Sequence, residues 1–306
     1  MSFFENGLQA KIMSTVLVIE ADVSKRVLFE ALELARDFEA KYSAYDEKSL
    51  LCRVNQQAGK NPVVCSEDDI EIFLVAKEMA EKSDGVFDPT IGVLSQGAYG
   101  FGRRSAKVPS LEELDKVKKL VNYKNFIINK NEVYLKEAGM KLDFGGIGKG
   151  FVADKIVKYL QKHGATKALV NVGGEICSFG KKYNIALRDP ASTANLALIK
   201  STKESLSIST SGDYERYIAS KKNHHILDHK TAVQNHYYAS VTVMKNGVES
   251  TLLDAVATMV FNSKKELLKD IAHKYDVALI IVLHDGEIYF ENVRNLHIVG
   301  VEILAS

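Results

Sequence analysis

The sequence predicts an α+β fold with mixed or antiparallel sheets and flanking helices. Three observations carry that expectation. β-Rich runs crowd the second half of the 306-residue chain. One stretch, "VALIIVLHDGEIYF", sets two such runs on either side of Asp285-Gly286, a strong hairpin signal. The helical segments do not alternate strictly with strands, which argues against a doubly wound parallel sheet.

The elements follow in order. "STVLVIEA" reads as a strand running from edge to core, and it is too short to span a bilayer. "VSKRVLFEALELARDFEAKY" has apolar residues at helical spacing and charges on its other face. "SEDDIEIFLVAKEMAEKS" repeats that pattern behind a Ser66 cap, with acids in the first turn. "SLEELDKVKKLV" opens with Ser110 and Glu113 at capping-box spacing, and "SKKELLKDIAHKY" does so with Ser263 and Glu266. Strands are predicted in "KALVNVGGEI", "YNIALRD", "SLSIST", "YYASVTVMK" and "HIVGVEIL". The glycines of "NVGGEI" predict a bulge or a close backbone approach. "SDGVFDPTIG" reads as a surface turn.

Composition narrows the function. Forty basic and thirty-nine acidic side chains leave a net charge of +1, so no basic field invites nucleic acid. No apolar run reaches transmembrane length, and membrane insertion is not expected. The start of the chain lacks the pattern of a secretory leader. Cys52, Cys65 and Cys177 are odd in number and without CxxC spacing. Reduced thiols in a cytoplasmic protein are the expectation. No repeat or Pro/Ser-rich linker marks a domain boundary, so residues 1–306 read as one domain.

Two stretches carry chemistry. In "KLDFGGIGKGFVAD" four glycines fall within six positions, where a backbone can approach a ligand closely. The helix that follows offers its N-terminal dipole to an anion. Phe151 breaks the dinucleotide pattern GxGxxG, and Gly150 after Lys149 breaks the P-loop pattern. In "STLLDAVATMVF" the helical wheel is apolar all round except for Asp254, with Thr258 one turn later. A buried unpaired charge is costly, so Asp254 must meet something. Two readings stand open. Asp254 pairs with a lysine or arginine while Thr258 bonds back to the helix; or the two oxygens hold magnesium. With the glycine segment, a magnesium–diphosphate site becomes the sharper hypothesis. In "HHILDHKTA", His225 and His229 have i, i+4 spacing, but helical periodicity and an HExxH glutamate are missing, which counts against zinc.

Taken in order, "MSTVLVIEA", "YSAYDEKSLLCRVNQ", "GVFDPTIGVL", "KLDFGGIGKGFVAD", "ALVNVGGEI", "STSGDYERY", "HHILDHKTA" and "STLLDAVATMVF" resemble the ApbE-like family of FAD:protein FMN transferases. The resemblance runs from about Met13 to the C-terminus. It implies an FAD site in a cleft between two lobes. It also implies magnesium held by the Gly148 carbonyl, Asp254 and Thr258, with FAD as substrate. FAD would be contacted by Met13, Tyr45, Val86, Phe87, Asp88, Gly145, Phe151, His225 and Leu227, with Asp143, Ser211 and Gly212 as neighbours. Tyr45 and Phe87 suit that role because aromatic faces pack on flavin or adenine rings.

The implied reaction moves FMN from FAD to a Thr or Ser hydroxyl of a target flavoprotein and releases AMP. His225 and Asp254 are the candidate catalytic residues, His225 as general base because imidazole titrates near neutrality. Alternatives are a non-catalytic FAD-binding protein and an FAD pyrophosphatase giving FMN and AMP. The family usually reads Asp-Pro-(Arg/Lys)-Thr-Gly where this chain has Asp228-His229-Lys230-Thr231-Ala232. Without that proline and glycine, a different turn is expected. A cytoplasmic enzyme with a cytoplasmic flavoprotein as acceptor is the resulting expectation.

Overall fold

Nine strands hydrogen-bond in a wholly antiparallel sheet in the computed structural model, each beside the sheet's next strand along the chain. They are Ser2–Phe4, Gly7–Ile12, Thr15–Ala21, Ala168–Val172, Glu175–Phe179, Ser205–Gly212, Ser240–Lys245, Ala278–Val282 and Ile288–Glu291. The structure describes residues 1–4, 7–201, 203–293 and 299–304. The predicted "HIVGVEIL" strand appears as Val299–Ile303, and its His297 and Ile298 lie outside the described residues.

The chain divides into two compact units. The first comprises residues 1–37, 149–212 and 237–306 and contains the nine-stranded sheet. The Ser250–Phe261 helix packs on Glu175–Phe179, Ser205–Gly212 and Ser240–Lys245. Its apolar wheel is buried as expected, with Leu253, Ala255, Val256, Ala257, Val260 and Phe261 fully enclosed. Strands Asn184–Arg188 and Asn195–Ser201 supply Ile185, Leu187, Ala197 and Ile199 to a core shared with Ile208 and Ile280.

The second unit comprises residues 38–148 and 213–236. It holds the helices Leu50–Gln56, Glu67–Lys82 and Leu111–Val117, a small sheet of Val63–Val64, Glu132–Leu135 and Phe126–Asn129, and a hairpin of Tyr217–Ile218 with Ser220–His224. Tyr42, Phe73, Phe126 and Phe144 pack edge to face in its core; the Phe73 and Phe144 centroids are 5.2 Å apart. The Lys25–Tyr42 helix begins in the first unit and ends in the second.

Local rules explain most boundaries. Ser66 accepts the Asp69 N–H ahead of Glu67, Asp68 and Asp69, as expected. Ser110 and Glu113 form the predicted capping box. The box predicted from Ser263 and Glu266 does not form. Ser263 lies two residues beyond the Ser250–Phe261 helix and donates its hydroxyl to the Met259 carbonyl at 2.7 Å. Closing that helix takes the group that would have opened the next one. "SDGVFDPTIG" is not a surface turn: Phe87, Asp88 and Thr90 are buried, because Asp88 ties the turn to the Tyr123 N–H at 2.9 Å. Gly173 and Gly174 make a two-residue hairpin turn rather than a bulge, both with positive φ (61° and 101°). The close approach is also present, since a Cβ on Gly173 would strike the Thr15 side chain.

At the altered family turn, Ala232 has φ 64° and is fully buried. The left-handed conformation that glycine adopts freely is therefore kept by an alanine, at a cost of about 1–2 kcal/mol. A β-branched residue tolerates that conformation far less. Ala232→Val is expected to lower stability by about 2 kcal/mol or more. Ala232→Gly is expected to be nearly neutral, because relief of strain offsets one lost buried methyl, worth about 0.8 kcal/mol, and added chain entropy. Urea denaturation of the two variants checks this; equal losses would refute it.

Candidate active site

In the first unit, two helices exchange carboxylates at their N-termini. Asp254, 2% exposed, accepts the Gly150 N–H through Oδ2 at 3.0 Å. That donor belongs to the first turn of the Gly148–Lys162 helix, where N–H groups lack helical acceptors. Asp154, farther along the same helix, returns the contact. Its Oδ1 accepts from Ser250 N at 2.8 Å, and its Oδ2 accepts from the Thr251 N–H at 2.8 Å and hydroxyl at 2.6 Å. Glycine at 150 is required, because a Cβ there would fall on the backbone carbonyl of Ser250. Thr258 donates to the Asp254 carbonyl at 3.3 Å, the back-bond that one sequence reading anticipated. Donation uses the hydroxyl proton and leaves its lone pairs for another ligand.

The electrostatics of this junction are unbalanced. Glu175, 1% exposed, is ion-paired with the Lys149 ammonium. Burial, and next the charge of Asp254, push the Glu175 carboxyl up to about 7, outweighing Lys149. Burial also raises Asp254, against the pull of Lys149 and of the backbone N–H groups. Glu175 Oε2 and Ser209 Oγ are both buried without hydrogen-bond geometry, although Ser209 is near enough to favour the carboxylate. Two enclosed carboxyl groups thus share one lysine, and a further cation would balance them. Oxygen donors of this kind fit magnesium, which binds through one or two carboxylates and completes its shell with water and phosphate. Among the described residues no group of three or more His, Cys, Asp or Glu forms an all-protein metal cage.

A pH effect follows for the metal-free protein. Glu175 has its folded pKa raised above the unfolded value, so its contribution to stability is complete below about pH 4.5 and is lost as pH rises through about 7. The loss is expected to reach roughly 3 kcal/mol. Urea denaturation in chelator from about pH 5 to about pH 8 should show it, and Glu175→Gln should flatten the slope. An unchanged slope in the variant would assign the effect elsewhere.

In the second unit, Arg216 links two predicted site residues. Its carbonyl accepts from the His225 N–H at 3.0 Å and lies 3.1 Å from His225 Nδ1. A carbonyl can only accept, so Nδ1 carries the proton and the basic lone pair of the neutral ring resides on Nε2. The Arg216 guanidinium donates to the Tyr45 hydroxyl at 3.3 Å, while that hydroxyl donates to the Phe101 carbonyl at 3.0 Å. Burial raises the Tyr45 pKa; Arg216 opposes the shift and Asp143 adds to it, placing all three in one electrostatic neighbourhood. Asp143 Oδ1 accepts the Gly145 N–H at 2.7 Å, and its Oδ2 accepts the Ser95 hydroxyl at 2.5 Å.

The remaining predicted residues have these places. Met13 is half-buried at φ 48°, in a two-residue hairpin turn with Ser14 at φ 62°. That strain is of the kind functional sites store. Val86 is half-buried, and Phe87 is held by Ser83 through its backbone N–H at 3.1 Å. Asp88 spends its oxygens on Thr90 and the Tyr123 N–H, and burial raises its pKa. Phe151 is buried, with the Lys155 ammonium 4.9 Å from its ring centre. Ser211 and Gly212 end the Ser205–Gly212 strand, opposite Val241 and Ser240. Leu227 belongs to a core cluster with Tyr99, Phe101 and Ala232. Gly148 opens its helix under the Phe38 ring.

Sequence reasoning missed Ser95, Glu175 and Arg216 as site residues. Ser95 and Gln96 lie in a π-helix, Val93–Ala98, which turns them onto Asp143 and the Leu142 carbonyl. No periodicity announces such a segment. Arg216 and Glu175 stood inside the quoted motifs "STSGDYERY" and "ALVNVGGEI", so their signal was position beside the residues that were chosen.

Known proteins resemble the chain over most of its length. The FAD:protein FMN transferase of Treponema pallidum is 33% identical over 257 residues, covering 76% of this chain and 70% of that protein. The crystal structure of an ApbE protein from Thermotoga maritima superposes with a TM-score of 0.85 at 27% identity, over 95% of this chain and 98% of that one. The flavin transferase ApbE from Vibrio cholerae gives a TM-score of 0.81 at 25% identity, over 93% and 96%. The ApbE family model matches residues 11–281, and on that span the chain belongs to the ApbE family.

Proposed function

We propose that the chain is a magnesium-dependent FAD:protein FMN transferase acting on a Thr or Ser hydroxyl of a target flavoprotein. The observation that carries the metal is the pair of buried carboxyls, Asp254 and Glu175, sharing Lys149, with the Thr258 hydroxyl one turn on at the Asp254 carbonyl. The activity is that named for the Treponema pallidum relative. Asp254, Thr258 and the Gly148 carbonyl would hold the ion. When bound, magnesium supplies charge neutralisation at the phosphate oxygens, worth several kcal/mol in such transfers.

The acceptor oxygen attacks the flavin-side phosphorus of FAD, forming a P–O bond to the Thr or Ser side chain. The bond from that phosphorus to the bridging oxygen breaks, and AMP departs with that oxygen. His225 takes the hydroxyl proton at Nε2, the nitrogen the Arg216 carbonyl leaves basic. Among the described residues no helix is long and apolar enough to cross a membrane.

The test incubates the protein with FAD, magnesium and several candidate flavoproteins, followed by mass spectrometry of each. The expected result is an added FMN mass on one acceptor and AMP released in equal amount. Free FMN and AMP with every candidate would replace transfer by hydrolysis. Bound FAD without turnover would leave a binding protein.

A further inference from the structure

Tyr45 is exposed and yet fixed. It is 47% accessible, its hydroxyl is held from both sides by Phe101 and Arg216, and Gly102 is pressed so close that a Cβ there would lie 2.5 Å from the phenolic oxygen. A rigid exposed ring offers contact area with little entropy left to lose. Two cations flank it. The Arg103 guanidinium carbon is 5.8 Å from the ring centroid, and Arg103 Nη2 donates to the Ala44 carbonyl at 3.3 Å. Arg216 donates to the hydroxyl through Nη1.

Neither guanidinium has a carboxylate within ion-pair distance among the described residues. Elsewhere in the chain Arg26, Arg36 and Lys107 each pair with a glutamate. Asp143 is the acid whose charge reaches the Tyr45 hydroxyl, and both of its oxygens already accept hydrogen bonds from Gly145 and Ser95. The chain carries a net charge of only +1, so two guanidinium groups without a carboxylate partner on one ring are a local feature, not part of a general basic surface.

We propose that Arg103 and Arg216 form a clamp over Tyr45 that recognises a phosphate of the dinucleotide while its planar ring stacks on the tyrosine. The proposal rests on the transferase reading and deepens it, by assigning phosphate recognition to two residues besides the metal site. Guanidinium suits the task, because its planar donor fork matches phosphate oxygens and its face stacks on aromatic rings. Arg216 is placed to serve twice. Its side chain faces the ligand's phosphate, and its carbonyl fixes the His225 tautomer, so ligand engagement and base orientation share one residue.

The test compares matched ligand pairs that differ by phosphate: FMN against riboflavin, and ADP against adenosine. Binding is measured in chelator, so that magnesium does not contribute, by flavin fluorescence and by calorimetry. Wild-type protein is expected to prefer the phosphorylated member of each pair. Arg103→Gln and Arg216→Gln should each reduce that preference about tenfold, leaving riboflavin and adenosine within about twofold of their wild-type affinities. Arg216→Lys should recover part of the lost preference, and raised salt should narrow it in the wild type. If both glutamine variants keep the wild-type preference, or if riboflavin weakens as much as FMN, the clamp is wrong and Arg216 is only structural. Transfer of FMN by the wild type, assayed beside it, stands or falls separately. An active enzyme with unchanged preferences in the variants defeats the clamp alone, whereas a wild type that binds neither FAD nor FMN defeats both.

Discussion

Asp254→Asn is expected to reduce FMN transfer by about three orders of magnitude while leaving the fold intact. The first half of that statement comes from charge. An amide oxygen is a weaker magnesium ligand than a carboxylate, and losing about 4 kcal/mol of phosphate neutralisation corresponds to about a thousandfold in rate. The second half comes from geometry. Asp254 serves the fold as a cap on the helix start, accepting the Gly150 N–H through Oδ2 with the Lys149 N–H also directed at the carboxylate. The Asn amide oxygen can accept the same bond, and it removes a buried charge that burial already disfavours.

Asp154→Asn supplies the contrast. Both Asp154 oxygens accept, from three donors on Ser250 and Thr251, so an amide NH2 in place of one oxygen would face donors with a donor. It should lose about 1–3 kcal/mol of stability and, per folded molecule, much less activity. The two variants are compared by thermal denaturation and by transfer rate at saturating magnesium. If Asp254→Asn transfers FMN at near wild-type rate, the carboxylate is a helix cap and the metal assignment fails.

What the sequence disclosed about this site follows the range over which each signal acts. The Ser250–Phe261 helix was legible because its apolar wheel and its one acid are local facts, and the acid proved to be buried beside a helix start. The Ser110 box was legible because both partners lie within one turn. The Ser263 box failed because a serine hydroxyl serves whichever helix reaches it first, and the preceding helix ended two residues away. The reciprocal capping of Asp154 and Asp254 joins residues about a hundred positions apart, and no spacing rule encodes such a pairing. The same holds for Glu175 and Lys149, whose pairing depends on a strand meeting the first turn of a helix. The bounds of the two compact units leave no mark in the composition. The second unit is inserted in two pieces, at residues 38–148 and 213–236, and neither piece is bounded by a compositional change.

Gly150→Ala is expected to damage the protein severely. The added methyl would occupy the space of the Ser250 carbonyl carbon and oxygen and approach the Thr251 nitrogen at 2.9 Å. All three are backbone atoms, so no side-chain rotation relieves the overlap. The Ser250–Phe261 helix would have to move away from the start of the Gly148–Lys162 helix. That movement strains the Gly150 N–H bond to Asp254 and the three bonds that Asp154 receives, all of them buried or partly buried. Overpacking of a tight site costs about 1–3 kcal/mol, and each buried donor left unmet adds about 1–3 kcal/mol. A loss of roughly 4 kcal/mol or more is therefore expected, a large share of a domain's net stability. The helix preference of alanine over glycine, about 1 kcal/mol in the opposite direction, is too small to rescue it. Gly145→Ala is the control. Gly145 is exposed, and the nearest atom to its added methyl is the Asp143 Oδ1 at 3.0 Å, the end of a side chain that can shift. Denaturation midpoints of the two variants decide the matter. Should Gly150→Ala unfold at the wild-type midpoint, the two helix starts are not in the backbone contact described, and Asp254 loses the placement on which the metal site depends.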